Sequence, residues 1–210
     1  IAGYAAVGLH PRRIPWRGLE ALFAELPEYL GRWHVLAVGA IGLDAGGARE
    51  EAVFARQLEL ARELRRPVVV HTPWRDKERL TRRALALLRE HALDPARVLV
   101  LRADARTVRM IRACGYAAGL SLSAGGGDAL TEVVRLVASL GPDGIALASG
   151  AGEGAADLLA LPRAAARLAK AGLSPAVIRR VCGGNALALL GLSPAQLRAS
   201  SAPTARPTSR

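Results

Sequence analysis

The chain has 210 residues, 51% of them hydrophobic, which suits one substantial core better than two domains. No apolar run approaches the roughly 20 residues that cross a bilayer, and the opening residues show no basic stretch followed by an apolar one, so a soluble chain without a membrane partner is expected. The net charge of +11 invites a polyanion, but the basic residues are nearly all Arg, with two Lys, and are dispersed along helical stretches beside Glu, which argues against specific nucleic-acid binding.

Short β-type runs alternate with longer amphipathic stretches along the chain, the pattern of repeated βα units around a parallel sheet. The strand candidates are Tyr4 to Gly8, Val35 to Gly42, Pro67 to His71, Arg97 to Leu101, Tyr116 to Ser121 and Gly144 to Ser149. Most are continuous apolar runs, as strands covered on both faces require. The first helix read between them runs from Arg49 to Arg65, with Val53, Phe54, Leu58 and Ala61 at helical spacing and Pro67 beyond its end. Further helices are expected at Asp76 to His91, Ala105 to Ala113, Asp128 to Leu140, Leu161 to Ala171 and Pro175 to Leu190. Ser174 before Pro175, and Ser193 before Pro194, pair a capping hydroxyl with a first-turn proline.

The fold class is therefore α/β. Six strands fall two short of the eight that close a (β/α)8 barrel, and the chain opens directly on a strand, so the expectation is a barrel domain over residues 1–195 lacking its first two βα units. An open doubly wound sheet competes, but no Gly-rich phosphate fingerprint opens a helix after any strand. A barrel with two exposed sheet edges is expected to self-associate. Residues 196–210 are Ser, Ala, Pro, Thr and Arg without periodicity and read as a disordered basic tail. Cys114 and Cys182 lie far apart and make neither a disulfide framework nor a four-ligand zinc site, which points to a reducing, cytoplasmic setting.

In such a barrel the chemistry sits at the C-terminal ends of the strands. Those ends carry His10-Pro11, Ala40 to Asp44, His71-Thr72-Pro73, Arg102 to Asp104, Ser121 to Ser123, and Ser149 to Gly154 with Glu153. The segment from Ala5 to Pro11, AAVGLHP, resembles the AVGIHP strand end of the TatD-like metal-dependent hydrolases. AVGAIGLD, Ala37 to Asp44, resembles that family's GEIGLD. FARQLELA from Phe54, leading to PVVVH ending at His71, resembles its F..QL.LA...PV..H, and NALALLGL from Asn185 resembles its closing NA..LFGL. The motifs stand in the family's order and cover about residues 3 to 192.

The resemblance implies a TIM-barrel hydrolase in which His, Glu and Asp hold one or two divalent metals, such as zinc, magnesium or manganese. The metal lowers the pKa of a bound water and polarises a phosphodiester or ester. This chain departs from that pattern. The family's His-x-His belongs to a first strand that the chain does not contain. The Glu of GEIGLD is Ala40, the next strand's His falls at Arg102, and the last strand's Asp falls at Gly150, or Gly152 if the loop shifts. His71 remains as the implied metal ligand. Arg102 replaces part of the metal's charge by pairing with a substrate phosphate or with Asp104, while His10, Arg102 and Glu153 are the expected substrate-binding residues. The expected function is a TatD-like hydrolase homologue with a degenerate metal site, acting on a phosphoester or other small molecule; the alternative is a non-catalytic ligand-binding or assembly barrel. No catalytic residue is assigned.

Blander readings stand beside these. His71 is a ligand or a polar strand terminus, Asp44 orients a ligand or makes an Asx turn, and His34 and His91 are structural. Asp157 and Glu153 face the mouth or solvent. The glycine-rich segments, Ser123 to Gly127 and Ser149 to Gly154, cradle an anion or are simply loops.

Overall fold

The structure is a computed structural model that describes residues 3–122, 127–150, 157–193 and 195–197. Six strands, β1 (Ala5–Val7), β2 (Val35–Gly42), β3 (Val68–His71), β4 (Val98–Ala103), β5 (Ala117–Ser121) and β6 (Ile145–Ala148), form one sheet in sequential order. Every neighbouring pair is parallel. The connecting helices are α1 (Leu19–Leu30), α2 (Ala48–Glu63), α3 (Lys77–Glu90), α4 (Val108–Ala113), α5 (Gly127–Leu140) and α6 (Ala160–Lys170). This is a TIM-barrel-like α/β architecture, in which all strand-to-helix loops share one end and all helix-to-strand loops the other. Among the described residues, β1 and β6 are the two edges.

Burial explains the layering. In β2, Val35, Ala37, Val38 and Ile41 are at most 2% exposed, because helices cover one face and the barrel interior the other. The buried stripe of α2 is Val53, Phe54, Leu58 and Ala61, the set anticipated from spacing.

Four differences from the sequence reading have physical causes. Helix α1 was not anticipated, because it starts at Gly18 without a side-chain cap and contains Pro27. It persists because Phe23, Leu26 and Leu30 bury one face against the core, and tertiary packing outweighs the weak local signal. The helix expected from Ala105 begins only at Val108, since the Asp104 carboxylate accepts hydrogen bonds from the Arg106 and Thr107 amides and the Thr107 hydroxyl, which makes a turn first. β4 continues two residues beyond Leu101, which places Arg102 within the strand. The helix expected over Pro175 to Leu190 is three pieces: α7 (Pro175–Arg179), a π-helical turn (Arg180–Gly184) and α8 (Asn185–Leu189). Asn185 at that break donates its side-chain amide to the carbonyls of Pro142 and Ile145, both at 2.7 Å, tying α8 to the start of β6.

Both serine caps form. Ser174 Oγ accepts from the Val177 amide at 3.4 Å and Ser193 Oγ from the Gln196 amide at 3.3 Å. Of the expected tail, residues 198–210 lie outside the described residues.

Candidate active site

The strand-to-helix end brings His10, Asp44, His71 and Arg102 together, and two side chains on α2, one buried and one half-buried, hold the loops that carry the first two. Gln57, fully buried, accepts from the Leu9 amide at 2.6 Å through Oε1 and donates from Nε2 to the Leu9 carbonyl at 3.2 Å. Leu9 is thereby clamped on both polar groups, and His10 follows it. Glu50 in the first turn of α2 accepts from the amides of Asp44 (2.8 Å), Ala45 (3.0 Å) and Gly46 (2.8 Å). The glycine preceding this loop is equally specific. Gly42 has φ 144°, and a Cβ there would collide with the His71 carbonyl oxygen. Only a glycine lets β2 lie against β3 closely enough to set Asp44 beside His71.

The result is one hydrogen-bonded chain. Arg12 Nε pairs with Asp44 Oδ1 at 2.9 Å, and Asp44 Oδ1 lies 3.3 Å from His71 Nε2. His71 Nδ1 lies 3.2 Å from His10 Nε2, and His10 Nδ1 accepts from the Arg12 amide at 3.2 Å. The donor inventory sets each tautomer. The Asp44 carboxylate only accepts, so His71 donates from Nε2, its bare Nδ1 accepts from His10 Nε2, and His10 Nδ1 receives the amide. Both imidazoles are neutral in this arrangement. Burial drives the His71 pKa from 6.5 to about 4; repulsion from a second proton on His10 and from Arg102 adds to the shift, and Asp44 opposes it. Burial pushes the Asp44 carboxyl up, but hydrogen bonds from Arg12 and His71 outweigh it, leaving that group below the usual carboxylate range. Asp44 therefore makes no Asx turn with its side chain; it orients His71.

Arg102 is 8% exposed and has φ 61°, the left-handed region, which turns its side chain into the mouth. Its guanidinium lies 4.6 Å from the Trp74 ring centre, and Lys77 lies 5.5 Å from the same ring. Lys77 donates to Thr72 Oγ1 at 3.3 Å and to the Pro73 carbonyl at 3.1 Å, and burial, with Arg102 nearby, lowers its pKa.

A cavity of about 630 Å³ opens here, and its lining includes His10, Ala40, His71, Arg102, Ser149 and Gly150. The four positions where the resemblance expects ligands, Ala40, His71, Arg102 and Gly150, thus surround a single space. Glu153 lies outside the described residues. Asp157 is occupied elsewhere, accepting from Leu159 N and pairing with Arg163 at 2.8 Å. His34 and His91 sit at the opposite end, where the His34 carbonyl accepts from Ala5 N and His91 caps α3. The cysteines are free thiols and are not part of this cavity's lining.

The sequence reading missed Arg12, Glu50, Gln57 and Trp74. Gln57 was within a quoted motif and Arg12 beside another, yet neither type announces a contact 48 or 32 positions away in the chain.

The family model of the TatD-related DNases matches residues 2–140. This chain belongs to that family. It is 30% identical over 158 residues to an uncharacterized metal-dependent hydrolase of Methanocaldococcus jannaschii, a match that takes in 75% of this chain. The chain spans 62% of that relative's length. The TatD-like protein of Archaeoglobus fulgidus superposes with a TM-score of 0.73 at 25% identity, over 90% of this chain and 72% of that one. A phosphotriesterase homology protein of Escherichia coli, complexed with phosphate, shares the fold, with a TM-score of 0.67 at 19% identity over 87% and 71% of the two chains.

The family is metal-dependent, so the donor set must be tested against a metal. His10 Nε2 and His71 Nδ1, 3.2 Å apart, are spaced to share one ion, with Asp44 on the far nitrogen of His71. A hydrolytic zinc site needs about three protein ligands. Among the described residues no group of three or more His, Cys, Asp or Glu is placed to hold a metal. Ala40 offers a methyl group, Gly150 offers hydrogen, and Arg102 contributes a permanent positive charge to the cavity wall. Among the described residues, the side chains around this cavity do not make up the ligand set of a catalytic metal.

Proposed function

We propose that this chain is a TatD-family hydrolase homologue whose mouth binds a phosphoester or related anion and in which the metal-dependent half of the chemistry is degenerate. The observation that supports this reading is the cavity shared by Ala40, His71, Arg102 and Gly150, the positions where the resemblance expects the family's ligands. In it, Arg102 supplies the charge that attracts the anion, in fork geometry suited to phosphate, with Trp74 bracing the guanidinium. His10 presents its imidazole at the rim, fixed by His71 and the Arg12 amide, and Glu153 belongs to the same expected set. His71 acts through its neighbours as a neutral hydrogen-bond partner. Family membership supports hydrolysis as the ancestral reaction; on this reading the present donors bind without turning over.

The test is calorimetric titration of the chain with zinc or manganese, with a chromogenic phosphodiester assay in parallel. Weak, non-stoichiometric metal binding and negligible turnover are expected. Tight 1:1 binding that disappears in His71→Ala, together with metal-dependent turnover, overturns the degenerate-site reading and restores an ordinary family hydrolase.

A further inference from the structure

The helix-to-strand end of the sheet, opposite the mouth, gathers arginines that look dispersed in the sequence. Arg62 in the last turn of α2, Arg65 and Arg66 in the turn that follows, and Arg97 immediately before β4 surround a pocket of about 160 Å³ floored by Ala61 and Leu93. Some exposed arginines elsewhere are paired, Arg56 with Glu20, Arg79 with Asp76, Arg83 with Glu51 and Arg163 with Asp157, and others stand singly; what sets this end apart is that four lie around one concavity. Among the described residues none of the four around this pocket has a carboxylate at ion-pair distance. The single acid in the lining, Asp94, directs its Oδ1 to the Ala96 amide at 3.0 Å.

Two details make this a built arrangement. Arg66 is held by its guanidinium donating to the Leu30 carbonyl at 2.7 Å. Arg65 has φ 50°, at the position after a helix end where glycine is the unstrained choice, so its side chain occupies the rim at a conformational cost. Guanidinium groups cannot relieve mutual repulsion by losing a proton, and four around one concavity focus a positive potential within it. The pocket is too small for a whole cofactor but has room for a phosphate or diphosphate group, whose oxygens match the guanidinium fork.

We infer that this pocket is an anion site for phosphate groups, distinct from the mouth, filled either by free phosphate or diphosphate or by the phosphodiester of a polynucleotide strand. Trp33 separates the two sources. It is 73% exposed and three residues beyond the Leu30 carbonyl that Arg66 holds, where it serves as a stacking platform for a base and has no use for an inorganic anion.

The experiment is calorimetric titration with pyrophosphate, and separately with a short oligothymidylate, at low salt. Arg102→Gln serves as the background so that binding at the mouth is removed from both titrations. One pyrophosphate per chain is expected, with affinity reduced roughly tenfold or more in Arg62→Gln/Arg97→Gln. Arg65→Gly guards against a folding artefact, because it relaxes the left-handed backbone: thermal stability holds or rises while pyrophosphate binding weakens. If Trp33→Ala weakens the oligonucleotide alone, the strand is the source; if the oligonucleotide does not bind while pyrophosphate does, the free anion is. Absence of pyrophosphate and oligonucleotide binding, or binding unchanged by the Arg62/Arg97 pair, overturns the inference without bearing on the mouth.

Discussion

Replacing Gln57 by Leu keeps nearly the same volume in a fully buried position and removes every bond the amide makes. The Leu9 amide loses its 2.6 Å acceptor and the Leu9 carbonyl its 3.2 Å donor, while the third bond, from Nε2 to the Val53 carbonyl at 3.3 Å, backs up an ordinary helical bond and matters least. A buried amide left without an acceptor costs about 1–3 kcal/mol and the carbonyl about 1 kcal/mol more, so the variant should lose roughly 2–4 kcal/mol. For a chain of this size that lowers Tm by roughly 5–15 °C. Urea denaturation should show the midpoint falling at constant m. Gln57→Glu gives a second, directional readout. The charged carboxylate still accepts from Leu9 N but faces the two carbonyls, whereas its protonated form restores a donor. Its pKa is raised in the folded state, so this variant should recover stability as pH falls, opposite to the parent chain. A Gln57→Leu variant within about 0.5 kcal/mol of the parent, or a Gln57→Glu variant that weakens with acid as the parent does, would refute the clamp.

His71 provides the pH dependence. Its folded pKa of about 4 lies below its ordinary 6.5, so the stabilisation is complete above pH 6.5 and is lost progressively as pH falls from there toward 4. The full effect approaches about 3 kcal/mol, measured as the stability difference across that window and abolished in His71→Gln. An imidazole titrating near 6.5 by NMR would contradict the buried neutral chain. The combined substitution Ala40→Glu, Arg102→His and Gly150→Asp should raise zinc affinity in calorimetry. Positions 102 and 150 both have positive φ (61° and 68°), which His and Asp tolerate better than most residues. Unchanged affinity would mean that these positions do not share one cavity.

The α/β class, the six strands and the strand ends bearing His10, Asp44, His71 and Arg102 could be read from the sequence, because buried parallel strands are continuous apolar runs and their boundaries are local. The family could be read for the same reason: its motifs are short and colinear. The helix at Leu19–Leu30 could not, since its cap is missing and Pro27 argues against it; burial of Phe23, Leu26 and Leu30 decided it. Nor could the partners at the mouth. That Arg12 meets Asp44, that Gln57 clamps Leu9, and that Glu50 gathers three loop amides are contacts between elements. Periodicity places a side chain on a face of its own element but says nothing about what that face meets. Charge shows the limit most plainly: along the chain Arg62, Arg65, Arg66 and Arg97 look like solvated helix cations, and only closing the α2 and α3 turns against one another sets them around a single pocket.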